Sequence, residues 1–113
     1  TVGHALESYY LDTDQPLSHG HAVALGMLIE AQLSQMKLGL PDEVLREIKA
    51  VIHKFYALQI PNDVQAIWKL MQQDKKNAQG IVRVCLLTKI GTCYYDQPLS
   101  VEEFEKAMEA CLD

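Results

Sequence analysis

The chain has 113 residues and a mass of 12.7 kDa, one ordinary domain, too short for a complete dinucleotide-binding domain plus a separate catalytic one. An apolar share of 49% and a charged share of 22% are near the globular average and exclude disordered and fibrous classes. Fifteen Asp and Glu against ten Lys and Arg leave a formal charge of -5, which argues against a basic nucleic-acid-binding surface.

In chain order, residues 1–10 read as the end of a helix, because Val2, Ala5, Leu6 and Tyr9 recur at three- and four-residue steps. Residues 11–16 are polar and end in Pro16, so they form a loop. A second helix is expected from about Ser18 to Leu38, with Gly39 as a left-handed stop. Its middle, residues 22–29, is apolar on every side and is expected to be buried all round. Gly26 costs about 1 kcal/mol relative to Ala inside a helix, which suggests close packing against another backbone.

A third helix is expected over 42–58, opened by Pro41 and by acidic residues at the positive end of the dipole. Val44, Ile48, Val51, Ile52 and Phe55 form its apolar stripe, and Lys49, His53 and Lys54 its wet face. A fourth helix spans about 62–72, with Val64, Ile67, Trp68 and Met71 inward. The period then changes. A polar loop over 74–80 leads into a strand over 81–87, a turn at Gly91 and a second short strand near 93–95. Ser100-Val-Glu-Glu103 is a capping box that starts a final helix with Val101, Phe104, Met108 and Cys111 on its core side. The fold class is therefore mainly α, a helical bundle with one small β-hairpin.

Cys85, Cys93 and Cys111 are odd in number and contain no C-x-x-C pair. They are read as core fillers in a reducing, cytoplasmic setting rather than as a disulfide framework or thiolate zinc site. No basic segment followed by an apolar one opens the chain, and residues 22–29 fall far short of the roughly 20 apolar residues of a membrane span. Neither a membrane nor nucleic acid is expected as a partner.

Three of the four histidines lie near the start: His4, His19 and His21. Imidazole is a common zinc ligand, and a catalytic zinc usually takes three protein ligands and keeps one position open. His4 and His19 converge if their helices pack together. The plainer reading is an exposed, polar helix start. Glu7 stands one turn from His4, where it is either a further ligand or a solvated helix position. Lys75 and Lys76, in the loop that ends at Gly80, are placed to hold a phosphate or carboxylate, or simply to be solvated.

Taken together and in order, these segments resemble the C-terminal part of 3-dehydroquinate synthase: residues 1–7 (TVGHALE), 17–27 (LSHGHAVALGM), 74–80 (DKKNAQG), 82–87 (VRVCLL), and Ile90-Gly91. The family carries a Gly-His-Thr-x-Gly-His-Ala-x-Glu signature, whose first His binds zinc and whose second His lies near the substrate phosphate. Thr1 matches its Thr, so His4 matches the second, active-site His. The first falls before residue 1. The family's Leu-x-His-Gly-Glu segment supplies another zinc ligand, which maps to His19. His21 replaces the acidic residue there, and its role stays open. The family's Asp-Lys-Lys motif brings a substrate-binding lysine, matched by Lys75 and Lys76 without choosing between them.

The resemblance implies the C-terminal α-helical domain, residues 1–113, of a two-domain enzyme whose NAD-binding domain lies outside this chain. It implies NAD and zinc (or cobalt) as cofactors of the whole enzyme, neither bound tightly by this chain alone, which is expected to be inactive by itself. It further implies a phosphorylated sugar acid as substrate, the N-terminal domain as partner and a homodimer. The whole enzyme would convert 3-deoxy-arabino-heptulosonate 7-phosphate to 3-dehydroquinate with release of phosphate, in the shikimate pathway of aromatic amino-acid biosynthesis. Related sugar-phosphate cyclases and glycerol-dehydrogenase-like metal-dependent alcohol dehydrogenases share parts of the pattern. The loop over 74–80 and the strand after it favour the synthase. A non-enzymatic helical module is the remaining alternative.

Overall fold

The computed structural model describes the backbone of residues 2–11, 13–56, 60–61, 63–73, 81–89 and 92–112. The elements run α1 (Val2–Leu11), α2 (His19–Leu38), α3 (Asp42–Phe55), α4 (Val64–Gln73), β1 (Val82–Lys89), β2 (Thr92–Leu99) and α5 (Val101–Leu112). The expected mainly helical domain with one hairpin is the architecture observed.

α2 is the axis. It packs against α1, α3, α5 and β1, and α4 closes the bundle by contacting α1 and α5. Ser18 caps its start, where the side-chain oxygen accepts a hydrogen bond from the His21 N–H at 3.1 Å. Gly39 ends it at φ 74°, a left-handed backbone that costs glycine little, and the Leu40 N–H donates back to the Ser34 carbonyl. Ala22, Ala24, Leu25, Leu28, Ile29 and Leu33 are buried in the common core. The expectation of burial on every side fails at Val23 (38% exposed) and Met27 (55% exposed). Both side chains stay partly in solvent although α1 lies against the Val23 backbone and Met27 lines a hollow with Ile48.

Gly26 does mark a close backbone approach. A Cβ placed on it would lie 2.6 Å from the Gly3 nitrogen and 2.8 Å from the Gly3 Cα. The α1–α2 crossing is thus set by two glycines facing each other. Val2, Ala5 and Leu6 then bury their side chains beside the contact.

α3 is shorter and less buried than its apolar stripe suggests. It ends at Phe55, and Tyr56 follows in an extended C-cap; residues 57 and 58 of the expected helix lie outside the described residues. Ile52 is buried, but Val51 and Phe55 are exposed, because α3 packs mainly on α2 and turns only part of its stripe inward. In α4 Ile67 and Met71 are buried while Val64 and Trp68 are half-buried, and Trp68 sets its ring 5.8 Å from that of Phe104.

The hairpin is antiparallel, with Val82 opposite Leu99, Val84 opposite Gln97 and Leu86 opposite Tyr94, and with register shifts after Val84 and after Leu87. Val82, Val84 and Leu86 alternate into the core. β2 reaches Leu99, well past the expected end at Tyr95. It tolerates Pro98 because a two-stranded sheet leaves every strand an edge.

α5 opens with the expected capping box. The Glu103 N–H donates to Ser100 Oγ at 3.2 Å, and the Ser100 N–H donates to Glu103 Oε1 at 2.9 Å. Two further ties fasten α2 to the hairpin and α5. Lys37 Nζ donates to Glu103 Oε2 at 2.8 Å and to the Pro98 carbonyl at 3.0 Å. Ser34, fully buried, donates to the Glu30 carbonyl at 2.7 Å and accepts from the Leu87 N–H at 2.8 Å. Among the described residues, no helix is long and apolar enough to cross a membrane.

Candidate functional site

The glycine contact places the front of α1 against the first turns of α2, so residues 12 or more apart in sequence meet there. His4 and His19, the two histidines of interest, come together with ring centroids 6.5 Å apart and planes tilted by 39°. His19 occupies the first helical position of α2, just after the Ser18 cap, and its side chain is 68% exposed. His4 lies on the exposed side of α1.

Glu7, one turn along α1 from His4, is paired with His19. Its Oε1 lies 3.0 Å from His19 Nδ1. With the proton on Nδ1, the imidazole donates this bond, and Nε2 keeps its lone pair for a cation or another donor. The spacing of Glu7 from His4 was visible in the sequence. Its pairing with His19 was not, because it depends on how α1 crosses α2.

His4 also rims an open depression of about 360 Å³ along the α1–α4 seam, lined further by Ala5, Ser8, Leu70 and Gln73. Tyr9 holds that seam from the α1 side, its hydroxyl donating to Asp63 Oδ2 at 3.3 Å at the start of α4. Lys75 and Lys76 lie outside the described residues, so their placement is not described. Gln73, the last described residue before them, lines the same depression as His4.

His21 turns away from this pair to Tyr56, with ring centroids 5.2 Å apart and planes 31° from parallel. The Tyr56 hydroxyl also lies 3.4 Å from the position a Cβ on Gly20 would take. Tyr56 is thus a second residue that sequence reading missed, since nothing in its local pattern points to α2. Cys85 is half-buried and Cys111 buried, and neither is in a disulfide. Burial pushes the Cys111 thiol up to about 11, in keeping with an inert core filler.

Among the described residues, no three His, Cys, Asp or Glu side chains are grouped closely enough to hold a metal ion. The donor chemistry fits a narrower role. One exposed imidazole, its Nδ1 taken by a carboxylate, can give a single nitrogen ligand to a zinc whose other ligands come from elsewhere.

Comparison with known proteins gives a consistent picture. Residues 1–77 match the family model described as 3-dehydroquinate synthase C-terminal. The chain is similar to proteins named 3-dehydroquinate synthase from Parabacteroides distasonis (33% identical over 111 residues), Picrophilus torridus (36% over 111) and Legionella pneumophila (34% over 112). Each alignment covers 96% of this chain but only 30 or 31% of the relative. The chain therefore spans about a third of the length of the curated relatives it matches.

Proposed function

Since the chain belongs to the 3-dehydroquinate synthase C-terminal family, we propose that it is the C-terminal domain of an enzyme that converts 3-deoxy-arabino-heptulosonate 7-phosphate to 3-dehydroquinate and phosphate. The observation that carries the reading is the meeting of His4 and His19, 15 residues apart in sequence, with His4 on the rim of an open depression.

In this reading NAD and zinc, when bound, supply a reversible hydride transfer and the acidification of a substrate hydroxyl. This chain's residues do the rest of the work assigned to it. His19 offers Nε2 as one zinc ligand while Glu7 holds its other nitrogen. His4, on the rim of the depression, donates a hydrogen bond to the substrate phosphate or to a water beside it, stabilising the leaving phosphate as its bond to carbon breaks. A lysine of the 75–76 pair, two or three residues beyond Gln73, neutralises anionic groups of the substrate. The remaining zinc ligands and the nucleotide site belong to the N-terminal part of the whole enzyme. The whole protein would act as a homodimer in the cytoplasm, where cysteines outside disulfides, such as Cys111, persist.

The test is an assay of the full-length protein containing this chain, with the heptulosonate phosphate, NAD and zinc. Phosphate release coupled to formation of the carbocyclic product supports the reading. No phosphate release from that substrate, or NADH accumulation with a simple polyol instead, overturns it.

A further inference from the structure

Glu7 falls on the closing Glu of the family signature, a position to which the resemblance attaches no role. We propose that Glu7 is a positioning residue that fixes the tautomer and orientation of His19, so that Nε2 rather than Nδ1 is the nitrogen offered to the metal. The inference rests on the reading above, in which His19 is a zinc ligand.

Three observations carry it. The first is the contact: Glu7 Oε1 and His19 Nδ1 are 3.0 Å apart, a hydrogen bond between two different helices. The second is how its geometry is held. Glu7 stands four residues, about one helical turn, after Gly3, and Gly3 lies in backbone contact with Gly26 of α2. The carboxylate is thus mounted one turn from a backbone-to-backbone crossing. The third is exposure. At 68% and 36% exposed side chains, an ion pair of this kind contributes little to stability, so its use is better sought in orientation.

The chemistry is direct. A neutral imidazole free in water favours the proton on Nε2, which would leave Nδ1 as its only donor to a cation. A carboxylate that accepts the Nδ1–H reverses that preference, frees the Nε2 lone pair and raises its basicity. It also stops rotation of a ring that the protein otherwise leaves largely in solvent.

The first measurement is histidine-selective ¹⁵N NMR of the 113-residue chain at about pH 8, above the usual imidazole range. His19 is expected mainly in the Nδ1–H tautomer. Glu7→Ala should move it toward Nε2–H, whereas Glu7→Gln, whose amide oxygen can still accept the bond, should keep the parental tautomer. A merely structural Glu7 would leave the tautomer alone in a folded Glu7→Ala chain, and that result overturns the proposal. The second measurement is zinc affinity of the full-length protein by competition with a chelator. Glu7→Ala should weaken it about 10- to 100-fold, with Glu7→Gln in between. Equal affinity of the wild type and Glu7→Ala also overturns the proposal. A wild type that binds no zinc overturns the functional reading itself, a result distinct from either failure of Glu7.

Discussion

Gly3 and Gly26 touch backbone to backbone: a methyl group on Gly26 would come within 2.6 Å of the Gly3 nitrogen. Alanine is the better helix former by about 1 kcal/mol, so at an open position Gly26→Ala would stabilise the protein. Here the added carbon meets main chain, which cannot rotate aside, and the helices must separate. We expect Gly26→Ala to lose stability by about 1–3 kcal/mol or more in spite of its helix propensity. Gly3→Ala meets Ala22 O and Val23 Cα at 3.3 Å, so it should cost less. Thermal melts of the two variants give the order, and a Gly26→Ala protein that melts higher than the parent would refute the contact.

Ser34 joins α2 to the sheet through one hydroxyl, which accepts from the Leu87 N–H. Ser34→Ala leaves that partly buried N–H without this acceptor and should cost about 1 kcal/mol or more. Denaturant unfolding measures the loss. The Leu87 amide should also exchange its hydrogen faster with solvent, and an unchanged rate would contradict the assignment.

Lys37 and Glu103 form a partly buried ion pair that also anchors the Pro98 carbonyl. Burial alone would raise the Glu103 carboxyl. Hydrogen bonds from Lys37 and Ser100 outweigh it and hold the group below its usual value. An acid lowered in the folded state adds stability that is present above the usual carboxylate range and fades as pH falls through the folded value. A double-mutant cycle with Lys37→Met and Glu103→Gln should show a coupling of about 0.5–1 kcal/mol at neutral pH. The coupling should vanish once Glu103 is protonated, and a coupling that persists in acid would count against this pairing.

Glu30 gives the opposite sign. It sits in an apolar hollow with Met27, Ala31, Ser34, Ile48, Cys85 and Leu87, and burial raises its carboxyl to about 6. The folded state holds this proton more tightly than the unfolded state does. Stability therefore falls as pH rises from the usual carboxylate range through about 6, and above that the penalty is fully present. Glu30→Gln should stabilise the protein at about pH 7 by up to about 2 kcal/mol and make little difference at about pH 4. Equal gains at both values would rule out burial as the cause.

Thiol labelling separates the two described cysteines. Cys111 is 5% exposed with its thiol raised to about 11, while Cys85 is half-buried on β1. A disulfide reagent should modify Cys85 well before Cys111 in the native protein and both equally after denaturation. Native labelling of Cys111 at the faster rate would mean that α5 packs less tightly than described.

What could be read from the sequence was local. The Ser100–Glu103 box, the Gly39 stop and the helix-interior Gly26 each follow from a few neighbouring residues whose backbone demands are specific. The His4–His19 meeting needed one added assumption, that α1 and α2 pack together. What stayed hidden depended on neighbours distant in sequence. Val23, Met27, Val51 and Phe55 look like core in a helical pattern, yet their side chains are exposed. The Glu7–His19 bond needs the crossing geometry, and Tyr56 reaches His21 across more than 30 residues of chain. β2 outran its expected end because Gln97 and Pro98 are poor strand formers drawn into register by Val84 and Arg83.

The Gly26 contact also makes α2 a lever. The helix is 20 residues, about 30 Å, long. His19 lies seven residues, about 10 Å, from the glycine on one arm, and Lys37 lies on the other, gripped by Pro98 and Glu103. A tilt of about 6° about this fulcrum swings the His19 end by about 1 Å, a displacement large enough to cost a reaction on the order of 100-fold. We expect Lys37→Met, which loosens that grip, to shift the His19 imidazole resonances as well, and unchanged His19 shifts in that variant would refute the pivot.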